Sequence, residues 1–93
     1  MDTELLITIL TNEGYPSYLL DRTISKINSL SPNVAIAFDR LIEGEVPEIE
    51  VEGFSYKVLI NDYRMKPVGA ILALDWLSKE PDVAREAIVA PRK

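Results

Sequence analysis

The sequence predicts an all-α fold, a compact bundle of five to six short helices with an acidic segment in mid-chain. Three observations predict it. Pro16, Pro32, Pro67 and Pro81 each stand just before a run whose apolar residues recur at helical spacing, and proline fits the first turn of a helix, where its missing N–H breaks no bond. Within those runs apolar residues return at i, i+3 and i+4, the period of one helix face, and not in strict alternation. Glycines and small polar residues fall between the runs, where helices stop and start.

The elements follow in order. Residues 3–12 form the first helix, with Leu5, Leu6, Ile9 and Leu10 as its apolar face and Gly14 as its stop. Ile7, Thr8, Ile9 and Thr11 are β-branched, so a strand stays open there as an alternative. Pro16 opens a second helix over 17–28, on which Leu20, Ile24 and Ile27 share a face. Ser31 is placed to cap the third helix through its hydroxyl. That helix follows Pro32, carries Val34, Phe38, Leu41 and Ile42 on one face, and ends at Gly44. Residues 44–52 make an acidic linker. Its Ile49 and Val51 alternate with glutamates, which leaves open a short strand, or a hairpin with 54–60.

Ser55 caps a helix over 56–63, with Leu59 and Tyr63 one turn apart. Pro67 opens the most apolar helix, 68–78. It is apolar nearly all round and is therefore expected to be central, with Gly69, Ala70 and Ala73 permitting close helix approach. Pro81 opens the last helix, 82–89, with Val83, Ala84, Ala87 and Ile88 expected to face inward.

Composition narrows the chemistry. Ninety-three residues suit a single domain, 1–93, or two very small subdomains sharing one core. With no cysteine and no histidine, the chain can form no disulfide or thiolate metal site and cannot by itself supply a Ser-His-Asp or Cys-His mechanism. No catalytic activity, cofactor or metal is expected. The net charge of −5 opposes a phosphate backbone, and basic residues gather only weakly, in Arg92-Lys93. Nucleic acid is therefore a disfavoured partner. The acidic start Met1-Asp2-Thr3-Glu4 lacks a signal-peptide charge pattern, and the apolar run 5–10 is too short to span a bilayer. A cytoplasmic protein without a membrane partner is expected.

Several motifs come to little. Glu48-x-Glu50-x-Glu52-Gly53 resembles the start of a calcium loop, but Leu59 stands where the twelfth-position glutamate belongs. Residues 54–77 have the outline of a helix-turn-helix, with Lys57, Arg64 and Lys66 able to meet phosphates. The helix that would read bases is too apolar for a groove. A carboxylate enzyme would need Asp21, Asp39, Asp62 and Asp75 to converge on a pocket. Asp39 and Asp75 are instead expected to be exposed and paired with Arg40, Lys79 or Arg22.

The two halves, 3–43 and 53–90, echo one another across the linker. Glu13-Gly14-Tyr15 parallels Glu52-Gly53-Phe54, and the Ala-rich runs ending in Asp39-Arg40-Leu41 and Asp75-Trp76-Leu77 correspond. The order of helix, Gly-aromatic loop, helix, turn and a third helix ending in Asp-x-Leu resembles the ubiquitin-associated (UBA-like) three-helix fold, as degenerate tandem copies. That resemblance implies an apolar protein-binding patch formed by Gly14, Tyr15, Leu41 and Ile42 in the first copy and by Gly53, Phe54, Trp76 and Leu77 in the second. Glu13 and Glu52 stand where that family's loop usually carries methionine. The expected function is a small non-catalytic protein-interaction or regulatory module. A helix-turn-helix-like nucleic-acid-associated regulator is the alternative, and a homodimer through 68–77 stays open.

Overall fold

Residues 3–90 are described by a computed structural model. Among them are six α-helices, one 3-10 turn and one two-stranded ladder, so the chain is mostly helical, as its sequence predicts. The basic pair Arg92-Lys93 lies outside the described residues. Among the described residues no helix is long and apolar enough to cross a membrane. The chain divides into two units, Met1–Leu30 and Ser31–Lys93.

In the first unit α1 spans Thr3–Asn12 and ends where Gly14 turns the chain at φ 93°. The Gly14 N–H donates to the Thr11 carbonyl and the Tyr15 N–H to the Leu10 carbonyl, each at 3.0 Å. This pair of bonds needs a left-handed residue after the helix, which glycine adopts without a Cβ penalty. Residues 3–12 are helical despite their β-branched content, and Leu6 and Leu10, one turn apart, are fully buried. Pro16, at φ −69°, leads into a 3-10 turn at Ser17–Leu19, followed by α2 at Leu20–Ile27. The helix expected from residue 17 therefore begins as a tighter turn. Thr23 and Ile27 form the buried stripe of α2, which packs against α1, and Leu20 and Ile24 are half-buried beside it.

In the second unit α3 spans Pro32–Ile42 and buries Val34, Ala37 and Phe38. Ser31 occupies its cap position, but its hydroxyl makes no capping bond. The backbone N–H of Ser31 instead donates to Asp75 Oδ1 at 2.8 Å. Gly44, at φ 88°, ends α3 with the same two bonds seen after α1, Gly44 N–H to Leu41 and Glu45 N–H to Arg40, both 3.0 Å.

The acidic segment beyond is anchored to the unit. Pro47 is fully buried and Ile49 half-buried. It leads into a minimal hairpin, β1 at Glu50–Val51 and β2 at Phe54–Ser55, antiparallel with Glu50 opposite Ser55 and Val51 opposite Phe54. Both turn residues, Glu52 (φ 51°) and Gly53 (φ 86°), are left-handed, as a two-residue hairpin turn demands.

The Ser55 hydroxyl accepts the Val58 N–H at 3.1 Å and so caps α4, Tyr56–Asn61. This helix is shorter than its sequence predicts. The chain leaves helical geometry by Arg64, at φ 57°, and the Tyr63 ring stands edge-on to Phe54 at 5.8 Å.

Helix α5, Pro67–Lys79, is the centre of this unit. It packs against α3, α4, β1 and α6, the last spanning Pro81–Val89. Val68, Ile71, Leu74 and Leu77 on α5 are all fully buried, as expected of a helix apolar nearly all round. Asp75 is also buried, at 7% exposure, contrary to the sequence expectation, although its predicted partner Lys79 does hold it at 2.9 Å. On α6 only Ala84 and Ile88 of the four expected residues are buried; Val83 and Ala87 are exposed. The inward stripe is the narrow i, i+4 row, and residues one position before each member lie about 100° away around the helix.

Candidate functional site

The expected patch residues have different fates. Gly14 is exposed in the α1 cap and Tyr15 is half-buried beside it. Burial, and secondly the charge of Glu13, push the Tyr15 hydroxyl above its usual pKa. Leu41 and Ile42 are half-buried at the end of α3. Gly53 is exposed in the hairpin turn, whereas Phe54 is buried against Tyr63 and Leu77 is wholly inside. Trp76 is 38% exposed, and its indole N–H donates to Glu80 Oε1 at 3.2 Å. The two Gly-aromatic pairs share a left-handed glycine but occupy different elements, a helix stop in one case and a hairpin turn in the other.

Nor do the acidic residues converge on a site. Among the described residues no group of histidine, cysteine, aspartate and glutamate could hold a metal ion. Asp75 is committed to Ser31 and Lys79, and Asp39 and Asp62 are exposed. Helix α5, which would have to read a nucleic-acid groove, is covered by α3, α4 and α6.

A different feature of the second unit has the shape of a site. A groove of about 540 Å³ opens between the outer face of α3 and residues 45–49, a volume within the usual range for ligand clefts. Local chemistry builds it. The glycine stop at residue 44 sends the chain back from the end of α3, and Arg40 reaches Glu45 across that turn at 3.8 Å. Buried Pro47 pins the middle of the segment, and the Tyr56 N–H holds the Ile49 carbonyl at 3.0 Å beyond it. The α3 wall presents Asn33, Ile36, Ala37 and Arg40, spaced i, i+3, i+4 and i+7 on one face. The facing wall presents Val46, Pro47 and Ile49, with Glu45 and Glu48 at its rim.

Ile36 is 58% exposed and Val46 61% exposed. A lone exposed apolar residue carries little meaning, but two that face one cleft form a patch. A second depression of about 280 Å³ shares Pro47, Glu48 and Ile49 and extends to Ser55, Tyr56 and Lys57.

Sequence reasoning passed over Ile36 and Val46. Ile36 did carry a signal: it lies about 200° around the helix from Val34, off the face formed by Val34, Phe38 and Leu41. Val46 carried none, because nothing in a run of glutamates shows which wall a lone valine joins. No family model, no curated protein and no solved structure matches this chain.

Proposed function

We propose that this chain is a non-catalytic protein-interaction module whose docking surface is the groove between α3 and residues 45–49. The observation that carries the proposal is the pairing of Ile36 and Val46, both more than half exposed, on opposite walls of one cleft. Leaving such side chains in water forgoes burial worth about 25 cal/mol per Å², and a partner that covers them recovers it. The absence of histidine and cysteine from the sequence supports a binding function over catalysis. Within the same unit, Phe54 of the second Gly-aromatic pair is buried and so offers a partner less than Ile36 and Val46 do.

Selection of a random-peptide display library on the purified chain tests this. Recovered peptides should bind the wild type and lose about tenfold or more in affinity against Ile36→Glu or Val46→Glu. Both substitutions fall on exposed positions, so folding should be retained, as circular dichroism would verify. Recovered peptides that bind both variants undiminished, or a selection yielding no binders, would remove the groove from consideration.

A further inference from the structure

We infer that the groove takes a basic peptide segment of a partner protein, one or more apolar side chains flanked by lysine or arginine; this rests on the docking function proposed above. Arg40 on the α3 wall faces Glu45 and Glu48, but the segment that forms the opposite wall is one-sided in charge. Residues 43–52 carry Glu43, Glu45, Glu48, Glu50 and Glu52 and no lysine or arginine. Glu52 is held by Arg85 at 3.0 Å, and Glu45 meets Arg40 at 3.8 Å. No ion pair joins Glu43, Glu48 or Glu50 to another described residue, and all three are exposed.

Like charges this close in sequence repel one another. The anchoring of Pro47 and Ile49 nevertheless holds the segment in place and keeps Glu45 and Glu48 in the same cleft as the exposed side chains of Ile36 and Val46. A ligand complementary to both features brings an aliphatic or aromatic side chain to Ile36 and Val46 and cationic side chains to the rim. Complementary charge of this kind sets the encounter rate and selects among partners. A second copy of this chain is a poor occupant in a symmetric dimer, since a two-fold contact would set the glutamate-flanked cleft against its own image. Phosphate-bearing ligands meet the same repulsion.

The residue composition of library peptides recovered on the wild type, and their behaviour toward two sets of variants, tests the inference. Lysine and arginine should be enriched on both sides of an apolar residue. Affinity should fall about tenfold from low salt to 0.3 M, as expected where exposed charges attract. The double variant Glu48→Lys/Glu50→Lys should weaken these peptides about tenfold or more and improve counterparts whose basic residues are replaced by glutamate. Peptides with neutral or acidic flanks that depend on Ile36 but not on salt or on Glu48 and Glu50 would overturn the charge inference and leave the docking groove standing. Basic peptides that respond to Glu48→Lys/Glu50→Lys but not to Ile36→Glu would overturn the inference together with the groove, placing binding on charge alone. Exclusive self-association of the chain, blocked by Ile36→Glu, would also overturn it.

Discussion

Asp75→Ala should destabilise the second unit by about 2–3 kcal/mol, because this side chain ties the start of α3 to the middle of α5. The carboxylate accepts the Ser31 N–H at 2.8 Å, a bond joining residues 44 positions apart, and hydrogen bonds to a charged partner contribute about 1.5–3 kcal/mol. It also sits at the N-terminal end of α3, where a negative charge adds about 0.5 kcal/mol. The ion pair with Lys79 adds no more than about 0.5 kcal/mol, since the lysine side chain is 46% exposed. Alanine, a better helix former than aspartate, returns about 0.5 kcal/mol. Asp75→Asn keeps an acceptor for Ser31 but loses the charge, and should cost about 1 kcal/mol. Lys79→Ala should cost less than about 0.5 kcal/mol. Urea unfolding followed by the fluorescence of Trp76, the lone tryptophan and the immediate neighbour of Asp75, reads all three variants. A Lys79→Ala loss equal to that of Asp75→Ala would assign the effect to the helix-surface pair. An asparagine loss near zero would show that the charge adds nothing to the Ser31 bond, whereas equal losses for alanine and asparagine would assign the whole effect to the charge.

Three further expectations follow from single positions. A Cβ added at Gly44 meets nothing within 4 Å, so Gly44→Ala should cost about 1–2 kcal/mol from its left-handed φ alone. Gly44→Asn should cost less; equal losses in denaturant titrations would point to a contact and not to backbone strain. Leu77, fully buried, should lose about 2–5 kcal/mol on replacement by alanine, whereas partly exposed Trp76 should lose clearly less, and thermal melts reversing that order would refute the assigned faces of α5. Tyr15 should ionise above the usual phenol range, because burial and then Glu13 raise its folded pKa. Its contribution to stability is whole below about pH 10, the unfolded value, and is lost as pH rises through the higher folded value. Tyr15→Phe should flatten that alkaline decline, with tyrosinate absorbance and unfolding midpoints as the measurements.

The candidate groove was less legible in the sequence than the helices that frame it. Its α3 wall could be approached by noticing that Ile36 is apolar yet off the main stripe. The facing wall could not, because its position depends on the burial of Pro47, which lies in a run otherwise rich in glutamate. Phe54 and Leu77 illustrate the converse: their residue types suit a docking patch equally well, and only packing shows that both are interior.

Short-range chemistry written in the sequence set where the backbone turns. Pro32, Pro67 and Pro81 open helices, Gly14 and Gly44 close them, and Ser55 caps α4 through its own hydroxyl; each acts within about one helical turn of itself, so its effect can be read from its neighbours. Tertiary structure alone decided that Asp75 lies inside, that Ala84 and Ile88 but not Val83 meet the core, and that Ile36 and Val46 share a cleft. Burial and pairing of those side chains depend on segments ten to more than forty residues away, and local propensity holds no record of where such segments come to rest.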